Sequence, residues 1–235
     1  MEQTIPLKKK TNVLLLIVYP ILITQLALYM MTFFDVLMTG RYDKVHLAAV
    51  SVGSSLWTPV FTGLAGILSG LTPIIANYIG AKTKEHIQPT VHQGLYLSFV
   101  LSGIIFALIY LLIPTLIEAI DLEPAVRPIA IAYLKGMSIG LFPLFAYTVF
   151  RAFFDALGAT RVSMFIILLT APINIVFNYL LIFGKLGLPE MGGAGAGYAS
   201  GITYWIVCAI AFWIALRHKK FQPYQLGQQF KGIQF

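Results

Sequence analysis

The chain has 235 residues and a net charge of +7, and 58% of its residues are hydrophobic while only 11% are charged. A soluble domain has about 25% charged residues because its surface faces water. The composition therefore excludes an ordinary soluble domain and indicates a protein that is embedded in lipid.

The hydrophobic residues form six runs that are each long enough to cross a membrane. A hydrocarbon core of about 30 Å takes about 20 helical residues. In chain order the runs cover residues 10–41, 47–80, 91–117, 126–157, 162–183 and 198–216. They predict an all-α integral membrane protein, a bundle of six transmembrane helices. We expect a basic N-terminal segment 1–10, a six-helix transmembrane lobe 11–216 and a solvated tail 217–235.

The basic residues are distributed unevenly between the two sides of this bundle. With the N-terminus inside, the outer loops carry only Arg41, Lys44, Arg127 and Lys185. The other side carries the larger group, Lys8, Lys9, Lys10, Lys82, Lys84, Arg161, Arg217, Lys219, Lys220 and Lys231. This asymmetry follows the positive-inside rule and predicts that both termini are cytoplasmic. The positive charge then reflects topology, and we expect no nucleic-acid partner.

Asp35 is an acidic residue inside the first apolar run, about a turn and a half from its outer end. A charged side chain at the centre of a membrane costs about 2.5 to 3.5 kcal/mol on insertion scales, so it rarely occurs without a partner or a water-filled cavity. Those are also the conditions for a proton or cation site. The alternative is an acid at the level of the headgroups, or a cap on the outer end of the helix.

Asn174 and Asn178 form a polar pair in the fifth run. Because they are four residues apart, both amides lie on one face of a helix. The first and fifth runs both lead outward, and Asp35 and Asn178 lie at about the same depth, roughly 8 to 9 Å below the outer ends at 1.5 Å per residue. We therefore expect the three side chains to share a cavity. The alternative is that the asparagines only join packed helices.

Pro20 lies within the first run. Proline frees the backbone carbonyl one turn before it, which predicts either a hinge or a static kink in the helix that carries Asp35. A hinge would allow protonation of Asp35 to bias the shape of this helix. Pro143 and Pro172 predict a similar hinge or kink in the fourth and fifth runs.

Other polar features have simpler interpretations. Lys135 and Arg151 lie in the fourth run, where long basic side chains can reach toward the interface, and Asp155 follows Arg151 by four residues, which predicts an ion pair within one helix. The glycine-rich connection 184–197 predicts tight turns and a close helix entry, because no strand precedes it as a phosphate-binding loop requires.

Enzymatic chemistry has little support in the sequence. The chain contains neither the HExxH pattern nor the GxSxG pattern, and its histidines lie in loops or at helix ends. We expect that the chain is not an enzyme, has no cofactor and holds no metal cluster, although Na⁺ could bind at Asp35.

Several segments, taken in chain order, resemble the multidrug and toxic compound extrusion (MATE) family of antiporters. They are PILITQ at 20–25, FDVLMTGR at 34–41, LAAVS at 47–51, NYIGAK at 77–82, RAFFDALGATR at 151–161 and PINIVFNYLLIFG at 172–184. Family members have about twelve helices in two lobes, and the resemblance covers only the N-terminal six-helix lobe.

The resemblance implies a multi-pass plasma-membrane exporter that moves cationic or lipophilic drugs outward in exchange for inward H⁺ or Na⁺. It implies that Asp35 is the coupling acid, that Asn174 and Asn178 are its neighbours, and that Pro20 marks a kink that responds to protonation. It also implies a second six-helix lobe as a partner, with the tail 217–235 resembling a truncated inter-lobe linker.

Two alternatives remain at this point. One is a flippase of the same superfamily that carries lipid-linked oligosaccharides, and it expects a more cationic cavity, for which Lys135 and Arg151 are the candidates. The other is a membrane protein that assembles with others but does not transport, and it leaves the buried acid without a role.

Overall fold

The computed structural model describes the backbone of residues 7–227 and, within that range, every side chain except those of 7–17, 20, 21 and 28. The described chain folds into eight α-helices. They are α1 (Leu7–Tyr42), α2 (Lys44–Ser69), α3 (Leu71–Gly80), α4 (Ile87–Ala119), α5 (Val126–Ser138), α6 (Leu141–Ala156), α7 (Thr160–Ile182) and α8 (Gly193–Arg217). We call the end of the bundle where α1 meets α2 the outer end, and the end where α6 meets α7 the inner end.

Five stretches of the described chain are long and apolar enough to cross a membrane: Leu22–Tyr42, Lys44–Gly80, Lys84–Ala119, α7 and α8. A sixth span results if α5 and α6, which are bent by 45° relative to each other, are counted together. The expected bundle of six apolar segments is therefore found, with its fourth member broken.

The fourth run, 126–157, was expected as one segment with a hinge or kink at Pro143, and the structure instead divides it into two helices, α5 and α6. Pro143 has no N–H, and its ring clashes with the carbonyl four residues earlier, which belongs to Ile139. The indole N–H of Trp205 donates to that freed carbonyl oxygen at 3.1 Å. As a consequence, Lys135 and Arg151 lie on two different helices.

Glycines bring α8 into backbone contact with α5. An added Cβ on Gly197 would lie 2.2 Å from the backbone oxygen of Tyr133, and one on Gly140 would lie 2.8 Å from Cα of Gly201. Small residues allow such close approach between membrane helices. The predicted close helix entry is confirmed, but α8 begins at Gly193 and not near Tyr198, so the last glycines of the connection are helical.

The outer end is closed where α8 begins. The backbone N–H of Gly193 donates to Nδ1 of His46 at 2.9 Å, and the Tyr42 ring packs edge-on against the His46 ring. Gly192 has φ +54°, and a side chain there would collide with both rings. This junction holds the turn between α1 and α2 against α8.

The first part of the tail packs against the inner end, which corrects the expectation of a solvated tail. Phe221 is fully buried and stacks on Phe154 with ring centroids 4.7 Å apart. Nε2 of the buried His92 lies 3.1 Å from the backbone oxygen of Leu226. Residues 228–235 lie outside the described part of the chain.

Candidate functional site

Asp35 lies in the outer half of α1, and only 9% of its surface is exposed. It stands about seven residues before the end of α1, which places it about 10 Å below the outer end of the bundle. Its backbone oxygen accepts a hydrogen bond from the Thr39 hydroxyl at 2.7 Å. The carboxylate is therefore largely buried inside the bundle, below its outer end.

The two asparagines predicted from the sequence meet Asp35 here. Asn174 and Asn178 lie on one face of α7 and are fully buried. Nδ2 of Asn178 donates a short hydrogen bond to Oδ1 of Asp35 and a second one, of 2.8 Å, to Oδ1 of Asn174. The equal depth expected from the sequence thus coincides with lateral contact between α1 and α7.

Ser200 on α8 completes this network, although it was not among the site residues predicted from the sequence. Nδ2 of Asn174 donates to the Ser200 hydroxyl oxygen at 3.1 Å, and Ser200 is buried. Ser200 stands about seven residues after the start of α8, so it has the same depth as Asp35. The predicted sixth run began at 198, which placed Ser200 close to the outer end, so a comparison of depths over the predicted runs would not have found it.

The network leaves one polar atom without a partner. Oδ1 of Asn178 is buried and accepts no hydrogen bond. Within the described residues, the one ion pair joins Arg151 to Asp155, so no Lys or Arg pairs with Asp35. A buried carboxylate with only neutral partners, next to an unsatisfied amide oxygen, is a suitable environment for a proton or a small cation.

A cavity of about 200 Å³ opens beside Asp35, and we call it the outer cavity. Its polar wall includes Ser54 and Tyr133, whose hydroxyl oxygens are 3.0 Å apart. Its remaining lining is largely apolar or aromatic: Met31, Thr32, Val36, Trp57, Thr58, Phe61, Met137, Ser200 and Tyr204. An acid beside aromatic rings can accommodate an organic cation, because ring faces attract positive charge.

The other polar residues singled out from the sequence lie elsewhere. The Lys135 ammonium sits 5.3 Å from the centre of the Tyr110 ring. Nε of Arg151 lies 3.5 Å from Oδ2 of Asp155, which confirms the predicted pair within one helix. Pro20 belongs to the uninterrupted α1, but its side chain lies outside the described residues, so the hinge stays a prediction.

The described residues contain no group of three or more His, Cys, Asp or Glu side chains that could hold a metal ion. A single carboxylate with amide and hydroxyl neighbours can still contribute to a Na⁺ site, because hard cations bind oxygen ligands.

Comparison with protein families and with curated proteins gives consistent matches. The MatE family model matches residues 20–180. The chain is 49% identical over 226 residues to a "Probable multidrug resistance protein NorM" of Halalkalibacterium halodurans, covering 96% of this chain and 49% of that protein. It is 46% identical over 224 residues to the protein of the same name from Bacillus subtilis, covering 95% of this chain and 50% of that protein. The chain thus spans about half the length of the curated relatives it matches.

Solved structures share the fold. The eukaryotic MATE transporter AtDTX14 matches with a TM-score of 0.83 at 19% identity, over 94% of this chain and 49% of that one. A MOP superfamily transporter from Pyrococcus furiosus matches with a TM-score of 0.77 at 22% identity, over 88% of this chain and 44% of that one. At such identities the likeness shows the architecture alone, and it is the architecture of one lobe.

These matches confirm several expectations. The curated relatives are named as multidrug resistance proteins and the solved structures as transporters. The expectation that the chain is not an enzyme is confirmed, and transporters of this family need no cofactor. Proteins of the family are multi-pass proteins of the plasma membrane. The chain belongs to the MatE family, and it is a multi-pass membrane protein that corresponds to the N-terminal half of its relatives.

Proposed function

We propose that this chain is the ion-coupling half of a multidrug exporter, in which a cation moving inward at Asp35 drives drugs outward. The observation that carries the proposal is the buried Asp35 carboxylate, whose one side-chain hydrogen bond among the described residues comes from the neutral amide of Asn178. A permanent ion pair would hold the carboxylate charged at all times. A carboxylate with neutral partners can instead bind and release a mobile cation.

The amides define how that cation would be held. In the structure Asn178 uses its NH₂ group for both Asp35 and Asn174, while its own oxygen is unsatisfied. A proton on Asp35 would turn one carboxyl oxygen into a donor for an acceptor of this kind. A sodium ion would instead take the Asp35 oxygens and an amide oxygen as ligands. The arrangement suits H⁺ or Na⁺.

The outer cavity supports lipophilic organic cations as the exported class. It combines the Asp35 carboxylate with the rings of Trp57, Phe61 and Tyr204. The carboxylate would attract the positive charge, and the rings would bind the apolar part of the drug. Drug and coupling ion would then compete for one negative charge, which is a direct basis for exchange.

The partner implied by this proposal is a second six-helix lobe. The curated relatives are about twice as long as this chain. The helix that carries Asp35, α1, also has exposed apolar side chains, including Tyr29 and Phe33. Either lipid or a second lobe would cover them.

The flippase alternative expects basic residues in the substrate cavity, and the contacts do not support it. Lys135 stacks on Tyr110, and Arg151 pairs with Asp155 on α6. Neither side chain lines the outer cavity. Arg151 lines a second cavity, but Asp155 lines it too and offsets the charge of Arg151. An assembly protein without transport has no use for a buried acid that lacks a cationic partner.

The test is ion-coupled drug efflux by the transporter that this lobe forms with its second lobe. We expect Asp35→Asn to abolish efflux, because an amide cannot bind the coupling ion, while the amount of protein in the membrane stays normal. The matched control is Asp121→Asn, which changes an exposed acid in the loop after α4. Normal efflux by Asp35→Asn would contradict the proposal.

The coupling ion can be identified separately. Efflux measured at fixed pH with the sodium gradient varied, and then at fixed sodium with the pH gradient varied, reports which gradient drives transport. Dependence on either gradient agrees with coupling at Asp35. Efflux that responds to neither would contradict it.

A further inference from the structure

A second polar cavity lies along the same helix as the outer cavity. We call it the inner cavity, and its volume is about 270 Å³. It is lined by Phe61, Ala65, Ser69, Thr72, Thr148, Arg151, Ala152 and Asp155. Phe61 lines both this cavity and the outer cavity. The two spaces therefore meet at one aromatic side chain.

One face of α2 forms a wall of both cavities. Ser54 and Thr58 line the outer cavity, Phe61 lines both, and Ala65 and Ser69 line the inner cavity. Residues at spacings of three or four lie on one side of a helix. The wall thus forms a continuous stripe along α2 with Phe61 at its middle.

The two cavities lie at different depths. Asp35 is about 10 Å below the outer end, whereas Arg151 and Asp155 lie in the last two turns of α6, at the inner end. A solute that travels along α2 from the inner end would reach the Arg151 and Asp155 cavity first and the Asp35 cavity second.

Phe61 is the residue that the linings of the two cavities share. The lining of the inner cavity on α2 and α6 also includes the small residues Ala65 and Ala152. The polar groups of the inner cavity are largely occupied: Asp155 accepts from Ser163 at 2.7 Å and faces Arg151, and the hydroxyl of Thr148 donates to its own helix. The charges of the inner cavity are thus paired, and an aromatic ring stands at its border with the outer cavity.

The geometry points to Phe61 as the constriction between two successive binding sites for an organic cation, the inner cavity and the outer cavity. The α2 stripe is the path between them. This inference rests on the proposed exporter function for the direction and class of solute. The ring closes the path by its size, and its face attracts a passing cation. Rotation of the ring, or movement of α2 against α6, opens the path.

Cysteine accessibility tests this inference without any need for transport. The chain has one cysteine, Cys208, which lines neither cavity. In a cysteine-free background of the complete protein that includes Cys208→Ser, Ser54→Cys reports on the outer cavity and Ser69→Cys reports on the inner cavity. The probe is a membrane-impermeant methanethiosulfonate with a trimethylammonium group, added from the inner side of oriented vesicles of the complete protein.

We expect Phe61→Ala to raise the labelling rate of Ser54→Cys at least about tenfold, equivalent to a barrier lower by about 1.4 kcal/mol, and Phe61→Trp to lower that rate. Labelling of Ser69→Cys should be the same in all three backgrounds, which shows that the probe reaches the inner cavity equally in each, and thermal unfolding in detergent reports whether each variant is folded. Phe165→Ala removes an exposed ring of α7 and should change neither rate.

Equal labelling of Ser54→Cys with Phe, Ala and Trp at position 61, while Ser69→Cys still reacts, would overturn the inference. If Phe61→Ala fails to fold, Phe61→Leu replaces it. We then expect a smaller rise in the labelling rate of Ser54→Cys. Because labelling requires no coupling ion, this result is independent of the outcome of Asp35→Asn on efflux.

Discussion

Asp35 and Asp155 are both aspartates of membrane-spanning helices, and both line cavities along α2, yet their surroundings differ. Asp155 faces Arg151 and accepts a hydrogen bond from Ser163, and its side chain is 27% exposed. Asp35 is more deeply buried and has the neutral Asn178 as its side-chain partner. The comparison teaches that the partner, and not the residue type, decides whether a carboxylate is a fixed structural charge or one that can exchange a cation.

The largest effect should come from neutralising each acid in turn. We expect Asp35→Asn to remove the response of efflux to the ion gradient altogether. Asp155→Asn should lower the rate of efflux but leave it responsive to the gradient, because Arg151 loses a partner while the coupling acid is intact. Efflux assays at two ion gradients measure the rate of efflux and its response to the gradient in each variant. Equal loss of the gradient response in both variants would remove the distinction.

The packing around the two cavities predicts the next largest effect. Gly197→Ala places a Cβ 2.2 Å from the Tyr133 backbone, whereas a Cβ on Gly66 of α2 meets nothing within 4 Å. We expect Gly197→Ala to destabilise the lobe by at least about 1–3 kcal/mol. Gly66→Ala should be neutral or stabilising by up to about 1 kcal/mol, because alanine favours the helix. Thermal unfolding in detergent measures the difference, and comparable midpoints would contradict the close contact of α5 and α8.

A matched pair of serines gives a smaller effect. Ser200→Ala removes the acceptor of the Asn174 amide, and Ser163→Ala removes a donor to Asp155. Loss of one hydrogen bond is worth about 0.5–1.5 kcal/mol. We expect Ser200→Ala to weaken the apparent affinity for the coupling ion several-fold and Ser163→Ala to leave it unchanged. Efflux titrated against the ion measures this, and the reverse order would show that the Asn174 network does not support Asp35.

The smallest effect should follow from removing the cation of the inner cavity. Arg151 is 39% exposed at its side chain and pairs with Asp155 at 3.5 Å. Exposed pairs contribute about 0–1 kcal/mol. We therefore expect Arg151→Gln to change the free energy of unfolding by less than about 1 kcal/mol. A larger loss in detergent unfolding would indicate that this pair is more strongly shielded than its exposure suggests.

Much of the fold and part of the site follow from the sequence, because a membrane fixes the depth of each residue along its helix. That rule is why the contact between Asp35 and Asn178 could be expected from their equal distance to the outer end. It could not show which helices are neighbours, and the predicted start of the sixth run at 198 placed Ser200 of α8 too close to the outer end, so this residue was missed.

The sequence indicated a hinge or kink at Pro143 but not the full break between α5 and α6. Proline alone does not show whether a helix bends or breaks. In the structure Trp205, about 60 residues later, donates to the Ile139 carbonyl that the proline frees. A partner so distant in sequence cannot be read from local pattern, and the same is true of the buried Phe221 in the tail.

The most direct test of the central claim is the exchange of drug and ion at Asp35 in the purified complete protein. Binding of a lipophilic cation in weakly buffered or low-sodium solution should release the coupling ion, because both compete for one carboxylate. We predict that the parent protein and Asp155→Asn release H⁺ or Na⁺ on drug binding and that Asp35→Asn releases neither. Ion release that persists in Asp35→Asn would contradict the account.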